Sequence, residues 1–260
     1  MLHESPVAAV SALERAFKRA LPSPGWMDMG DGGAWVALFD VAHWSAWLPQ
    51  AGSLLDEAER SRVARRRREC DRDNLTLAYA LHRLFLAEAL GMDPASVPVG
   101  RDEQGCPRLR GSSISTSLSH SERYLAIALA TCGPIGVDIE PCSRTGGMEE
   151  IISQVCHPSE MTYMEKERLR GQAGQRWLLS LWVRKEAFLK AAGVGLAREM
   201  HTFPAPEGVD LSLEQADRRL VRLHMLDAGA AAVAAAAIPP GAVLRVAWLQ
   251  GDAGSPRTPS

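Results

Sequence analysis

Apolar residues recur at helical spacing over residues 5–20, where Val7, Val10, Leu13 and Phe17 share one face. Pro22-Ser23-Pro24-Gly25 ends that run. Residues 34–41 read as a strand. Asp56 has the chemistry of an N-cap for the arginine-rich helix that follows it. A second helix is predicted from Asp73 to Leu90. Leu77, Leu81, Leu84 and Leu86 supply its apolar face, and Gly91 closes it. Its polar residues Asn74, His82 and Arg83 are expected at exposed positions.

Over 97–141 the texture changes to strands and turns. Residues 101–107 form a turn-rich loop. Ile114–Leu118 is extended, with Ser119-His120-Ser121 at the strand end. Tyr124–Ala130 is a second apolar strand, and Gly133-Pro134 turns the chain into Gly136-Val137-Asp138-Ile139-Glu140-Pro141. Residues 143–147 read as a flexible loop. Helices are predicted over 158–170 and 175–192, the second stopping at Gly193. Ala228–Ala237 is ambivalent. Alanine has the best helix propensity, yet the run is short and Pro239-Pro240-Gly241 ends it. A strand paired with Val243–Leu249 satisfies the pattern equally well. The last ten residues are polar and rich in Gly, Ser and Pro, and are expected to be disordered.

A chain of 260 residues accommodates one large domain or two smaller ones. Its net charge of −2 argues against broad nucleic-acid binding. Charge is nevertheless concentrated locally: Arg60, Arg62, Arg65, Arg66, Arg67, Arg68 and Arg72 crowd together. That cluster is either a solvated helix face or a patch for phosphates or an acidic partner protein. The five cysteines form no C-x-x-C pair, so neither a disulfide framework nor a zinc site is suggested. They read as mostly buried, reduced thiols of a cytosolic protein. No basic segment followed by an apolar run opens the chain, so no signal peptide is expected. No apolar run has the length needed to cross a bilayer.

The chemistry concentrates in two segments. Asp138 and Glu140 stand two apart in a short apolar run, so on a strand both side chains point to one face. Glu186 and Lys190 stand four apart on a predicted helix, again on one face. Three acids and a lysine that can meet suggest a magnesium ion holding a phosphorylated ligand. Glu186 would be a third ligand, a water-mediated ligand, or a general base beside the metal. Lys190 would stabilise a phosphate or leaving group. Each piece alone is ordinary, since i,i+4 Glu–Lys pairs are common surface salt bridges. His120, flanked by hydroxyls, is either a hydrogen-bond donor to a phosphate or a hydrogen-bonded turn histidine. The chain has no G-x-S-x-G elbow, G-x-x-x-x-G-K-[ST] loop or G-x-G-x-x-G fingerprint, which disfavours a serine hydrolase, an ordinary ATPase and a dehydrogenase.

Taken in order, Ser119-His120-Ser121, Gly136-Val137-Asp138-Ile139-Glu140 and Trp182-x-x-Lys185-Glu186-Ala187-Phe188-x-Lys190-x-x-Gly193-x-Gly195 closely resemble the Sfp-type 4′-phosphopantetheinyl transferases. The resemblance is firm over roughly 105–195 and looser over the remainder of 35–250. It implies an α+β fold of two similar α/β lobes related by a pseudo-twofold axis, with the active site between them. The implied divisions are an N-terminal extension over 1–30, lobes over 31–133 and 134–250, and a tail over 251–260. The implied activity is Mg2+-dependent transfer of the 4′-phosphopantetheine arm of coenzyme A to a serine of an apo acyl or peptidyl carrier protein. Adenosine 3′,5′-bisphosphate is the other product, and Mn2+ is an alternative metal. By motif, Asp138, Glu140 and Glu186 would be the metal-site acids, with Glu186 also a candidate base, and Lys190 would contact the reacting phosphates. His120 with Ser119 would bind the 3′-phosphate of coenzyme A, and Gly105-Cys106-Pro107 would lie near the nucleotide.

Two departures qualify the phosphate grip. Cys106 stands where relatives often carry a lysine or arginine. Asn74 stands where they often carry an arginine, with Arg72 two residues earlier; Arg62, Arg72 and Arg83 are the further basic candidates. The Arg60–Arg68 cluster and the Val194-Gly195-Leu196 segment are candidate carrier contacts. The resemblance also implies a monomer, while the cysteines point to a cytoplasmic protein, and the net charge and the lack of a long apolar run to no nucleic-acid or membrane partner. The alternatives are a metal-dependent hydrolase of coenzyme A or a nucleotide, and a catalytically silent carrier-binding protein.

Overall fold

The structure is a computed structural model that describes residues 6–28, 30, 32–194, 198–213 and 219–251, with side chains in the first helix from Ala12 onward. The side chains of Val7 and Val10, the Gly195-Leu196 part of the candidate carrier contact and residues 252–260 of the predicted tail lie outside the described residues. The chain forms two compact units. Of the described residues, those within 1–29, 37–98 and 247–260 form one, and those within 30–36 and 99–246 form the other.

The first unit holds helices α1 (Pro6–Ala20), α2 (Leu48–Leu54), α3 (Glu57–Ala64) and α4 (Glu69–Leu90). Asp56 caps α3 as predicted. Its carboxylate accepts from Glu59 N at 2.8 Å, and the Glu59 carboxylate accepts from Asp56 N at 3.1 Å, a complete capping box. The arginine-rich stretch is not one helix, because α3 stops at Ala64 and Arg65–Arg68 lead into α4. Arg72 fixes this connection by donating to the carbonyls of Arg66 and Arg67 at 3.2 and 3.0 Å. Gly91 closes α4 in the left-handed conformation, φ 63°.

His82 and Arg83 are buried, contrary to expectation. Arg83 donates from Nε to Glu59 and from a terminal nitrogen to Asp56, both at 2.7 Å, and also reaches the Val97 carbonyl at 3.2 Å. Its partners come from α3 and from the loop after α4, so the periodicity of α4 alone cannot reveal them. This pairing makes Arg83 a packing residue of the first unit. All five cysteines are free thiols, as expected, but they are not mostly buried: Cys156 is buried, Cys106 and Cys142 are half-buried, and Cys70 and Cys132 are exposed. Cys70 opens α4 and Cys132 sits in the turn after the Tyr124–Ala130 strand, both positions at the water boundary.

Strands β1 (Gly33–Asp40) and β10 (Val243–Trp248) each begin in the second unit and end in the first. With β4 (Ser115–Ser121) and β5 (Tyr124–Ala130) they form a sheet of order β10-β1-β5-β4. β2 (Val99–Arg101) and β3 (Pro107–Leu109) form a short antiparallel ribbon. A second sheet has the order β6-β9-β8-β7, from β6 (Gly136–Pro141), β7 (Asp210–Ser212), β8 (Leu220–Leu226) and β9 (Ala232–Ile238). Helices α5 (Ile152–Val155), α6 (Pro158–Lys166) and α7 (Gly171–Ala192) complete the second unit. α6 ends four residues earlier than predicted, and Arg168 just beyond it has φ +52°. The predicted flexible loop opens as a 3-10 turn, Cys142–Thr145. Among the described residues no helix is long and apolar enough to cross a membrane.

The alanine-rich segment is a strand, β9, antiparallel to both β6 and β8. Tertiary packing overrides propensity here. α7 lies across β6 and β9, with Ala187 and Ala191 in the same buried cluster as Ala235 and Ala237. A Cβ at Gly136 would stand 1.9 Å from the Ala187 carbonyl oxygen and 2.6 Å from Ala191 N. Only small side chains on both surfaces allow so close an approach of helix backbone to sheet.

Candidate active site

The contact at Gly136 sets the register between β6 and α7. Gly136, Asp138 and Glu140 are paired across the strands with Ala237, Ala235 and Val233 and share their face of the sheet, which is the face α7 covers. Trp182, Glu186 and Lys190 follow one another at four-residue spacing on α7. Lys190 Nζ reaches Asp138 Oδ1 at 2.6 Å. Glu186 is half-buried, and its carboxyl is held above the usual carboxylate range, first by burial and then by the charge of Asp138. The strand pair and the helix pair thus meet.

A ladder of serines on β4 supports the acids. Ser117 accepts from Val137 N at 3.1 Å, Ser119 donates to Asp138 Oδ1 at 2.6 Å, and Ser121 donates to Glu140 Oε2. The hydroxyl of Ser119 is therefore engaged with an acid. His120, its neighbour on β4, alternates to the other face of the strand. The period-two serines of Ser115-Thr116-Ser117-Leu118-Ser119-His120-Ser121 were the available signal for this ladder.

A cleft of about 200 Å³ opens at the same place, lined by Arg101, Gly105, Cys106, Ser117, Glu186 and Lys190. The Gly105–Cys106 loop and the α7 pair therefore share one cavity. Burial pushes the Cys106 thiol up, so it offers no charge. Cations flank it instead. Arg101 donates to the Gly105 carbonyl at 2.7 Å, and Arg108 pairs with Asp102 at 2.9 Å. Arg62 and Arg72 belong to the other unit, on α3 and α4.

Among the described residues no three His, Cys, Asp or Glu side chains stand ready as a metal centre. Asp138 is capped by Lys190, and Glu140 by Arg144 at 2.6 Å. Asp138 Oδ2, however, is buried without a hydrogen-bond partner. A buried carboxylate oxygen left open is costly unless something else completes it. A hard divalent cation has that chemistry, so the residues present fit one.

Lys185, beside Glu186, has a different task. It is fully buried, donates to the carbonyls of Val155, Met200 and Phe203 at 2.7–2.8 Å, and pairs with Glu160 at 2.6 Å. It ties α7 to α6 and to the segment after α7. Sequence spacing offers no sign of this, since every partner is remote.

Residues 134–237 match the family described as the 4′-phosphopantetheinyl transferase superfamily. The chain is 31% identical over 194 residues to a phosphopantetheinyl transferase of Thraustochytrium sp., covering 66% of this chain and 67% of that protein. It is 32% identical over 124 residues to a 4′-phosphopantetheinyl transferase of Bacillus subtilis, covering 47% and 53%. It is 28% identical over 131 residues to the 4′-phosphopantetheinyl transferase HetI of Nostoc sp., covering 49% and 54%. The chain spans about half to two-thirds of the length of the curated relatives it matches.

Proposed function

The chain belongs to the 4′-phosphopantetheinyl transferase superfamily, and from that premise we propose that it transfers the 4′-phosphopantetheine arm of coenzyme A to a serine hydroxyl of an apo carrier protein. Adenosine 3′,5′-bisphosphate is the second product, so the activity is that of a holo-acyl-carrier-protein synthase. The observation that carries the reading is the meeting of Asp138, Glu186 and Lys190 beside a cleft that also takes in the Gly105–Cys106 loop.

Asp138 and Glu140, with Glu186, would hold Mg2+ or Mn2+, which when bound offsets the charge of the pyrophosphate and of the departing phosphate. The open Asp138 Oδ2 supports this assignment. Lys190 contributes a fixed ammonium at the reacting phosphates. Glu186, whose carboxylate is made more basic by burial and by Asp138, accepts the proton of the carrier serine. Ser119 and Ser121 orient the two strand acids, and His120 is the imidazole assigned to the 3′-phosphate. In this reading residues 31–133 and 134–250 are two similar lobes. Support comes from their shared parts: each has a 22-residue helix closed by a left-handed glycine, and a pair of seven-residue antiparallel strands. The working form is taken to be a cytoplasmic monomer.

The test is direct. The protein is mixed with coenzyme A, Mg2+ and a panel of acidic apo carrier proteins, and each carrier is weighed by intact-mass spectrometry. Gain of one phosphopantetheine is expected. Carriers that stay unmodified while phosphopantetheine is released would point to hydrolysis, and no turnover of coenzyme A at all would leave a silent binder.

A further inference from the structure

We propose that Arg144 is an internal counter-cation of the acidic site, and that a divalent cation entering the site releases its guanidinium from both Glu140 and Trp182. The inference rests on the reading of Asp138 and Glu140 as metal ligands.

Four carboxylate oxygens on β6 face this question, and their partners are unequal. Asp138 Oδ1 accepts from Ser119 and Lys190, and Asp138 Oδ2 is open. Both oxygens of Glu140 are taken, Oε2 by the Ser121 hydroxyl and Oε1 by Arg144 at 2.6 Å. A cation can therefore join Asp138 without disturbing Lys190. A cation joining Glu140 must share an oxygen that already holds a donor, since each has room for two partners. The Ser121 hydroxyl is neutral and tolerates a neighbouring cation. The guanidinium carries a like charge at the same carboxylate, so Arg144 is the group that leaves.

Its surroundings suit departure. The Arg144 side chain is 48% exposed against 8% for Glu140, so the guanidinium returns to water at little cost. It lies in the 3-10 turn Cys142–Thr145, and Gly146-Gly147 follow, with Gly147 at φ 83° and open space around both glycines. Its guanidinium carbon sits 5.4 Å from the centre of the Trp182 ring, whose Nε1 is buried without a partner. Release from Glu140 therefore also uncovers one face of Trp182, one α7 turn before Glu186. A contact that must break before metal binds lowers metal affinity in proportion to its own stability.

Isothermal titration of coenzyme-free protein with Mn2+, with folding checked by circular dichroism, tests this. Arg144→Gln should bind Mn2+ roughly five-fold more tightly than the unaltered chain, the factor an exposed ion pair supplies. Mn2+ should also change tryptophan emission in the unaltered chain, and this change should vanish in Arg144→Gln and in Trp182→Phe. Equal Mn2+ affinities in the unaltered chain and Arg144→Gln overturn the counter-cation role while leaving the metal site standing. Absence of Mn2+ binding in both, or binding that survives Asp138→Asn unchanged, overturns the metal-site reading and this inference with it.

Discussion

Lys190 Nζ stands 2.6 Å from Asp138 Oδ1, joining two residues 52 positions apart, and Asp138 is almost wholly buried there. The ammonium supplies the positive charge that a metal would otherwise bring. Lys190→Met should therefore destabilise the metal-free protein by about 1–3 kcal/mol, the usual cost of leaving a buried acceptor short of its partner. Mg2+ should restore part of that loss. Urea denaturation with and without Mg2+ measures both effects. A variant equally stable in the two conditions would contradict the pairing of Asp138 with the metal.

Lys185 stands five residues away in the same motif and should behave in the opposite manner. Its ammonium neutralises Glu160 and satisfies three carbonyls inside the second unit. Lys185→Met leaves the Glu160 carboxylate without its counter-ion, held only by the amides of His157 and Ala205, and takes a donor from three carbonyls, so a cost of about 3–5 kcal/mol is expected. Mg2+ should raise its stability only as much as it raises that of the unaltered chain, because none of these partners belongs to the acidic site. The same denaturation series compares the two lysines directly. A gain with Mg2+ that is larger in Lys185→Met than in the unaltered chain would mean that Lys185 acts at the site.

Much of this was legible in the sequence where a local rule decides it. Asp56 caps a helix, Gly91 and Gly193 end helices, and the strand and helix spacings of Asp138, Glu140, Glu186 and Lys190 describe their faces correctly. Tertiary contacts decide what was not legible. The alanines of β9 are a strand because α7 needs small neighbours, and no window of ten residues contains that information. His82 and Arg83 fall on a helix whose outward face is covered by other elements. The serines of β4 alternate visibly, but only the neighbouring strand gives them acids to hold.

Gly136 should tolerate no side chain. In Gly136→Ala the new Cβ meets helix backbone at 1.9 and 2.6 Å, and backbone cannot swing aside as a flexible side chain does. The helix must shift, costing about 3 kcal/mol at the upper range of overpacking. The same shift carries Glu186 and Lys190 away from Asp138, so the proposed transfer should fall about 100-fold. Thermal unfolding together with carrier modification rates measures this. Normal rates in a stable Gly136→Ala chain would mean that the register between β6 and α7 is not what brings the two pairs together.

Glu186 makes the metal-free protein sensitive to pH in a definite direction. Burial, and after it the Asp138 charge, raise the Glu186 carboxyl, while Lys190 opposes them. The folded chain thus keeps this proton at pH values where the unfolded chain has lost it. Below the ordinary glutamate value, about 4.3, both states hold the proton and no penalty exists. As pH rises from there through the raised value, the unfolded state binds fewer protons than the folded state, and stability falls. Glu186→Gln has no such ionisation. With metal removed by chelation, urea stability of the unaltered chain should therefore decline relative to Glu186→Gln over that window and level off above it. Mg2+ should flatten the decline, since a cation stabilises the ionised carboxylate. Parallel curves for the two proteins would mean that Glu186 titrates as an ordinary exposed acid, and its assignment as a strengthened proton acceptor would fail with them.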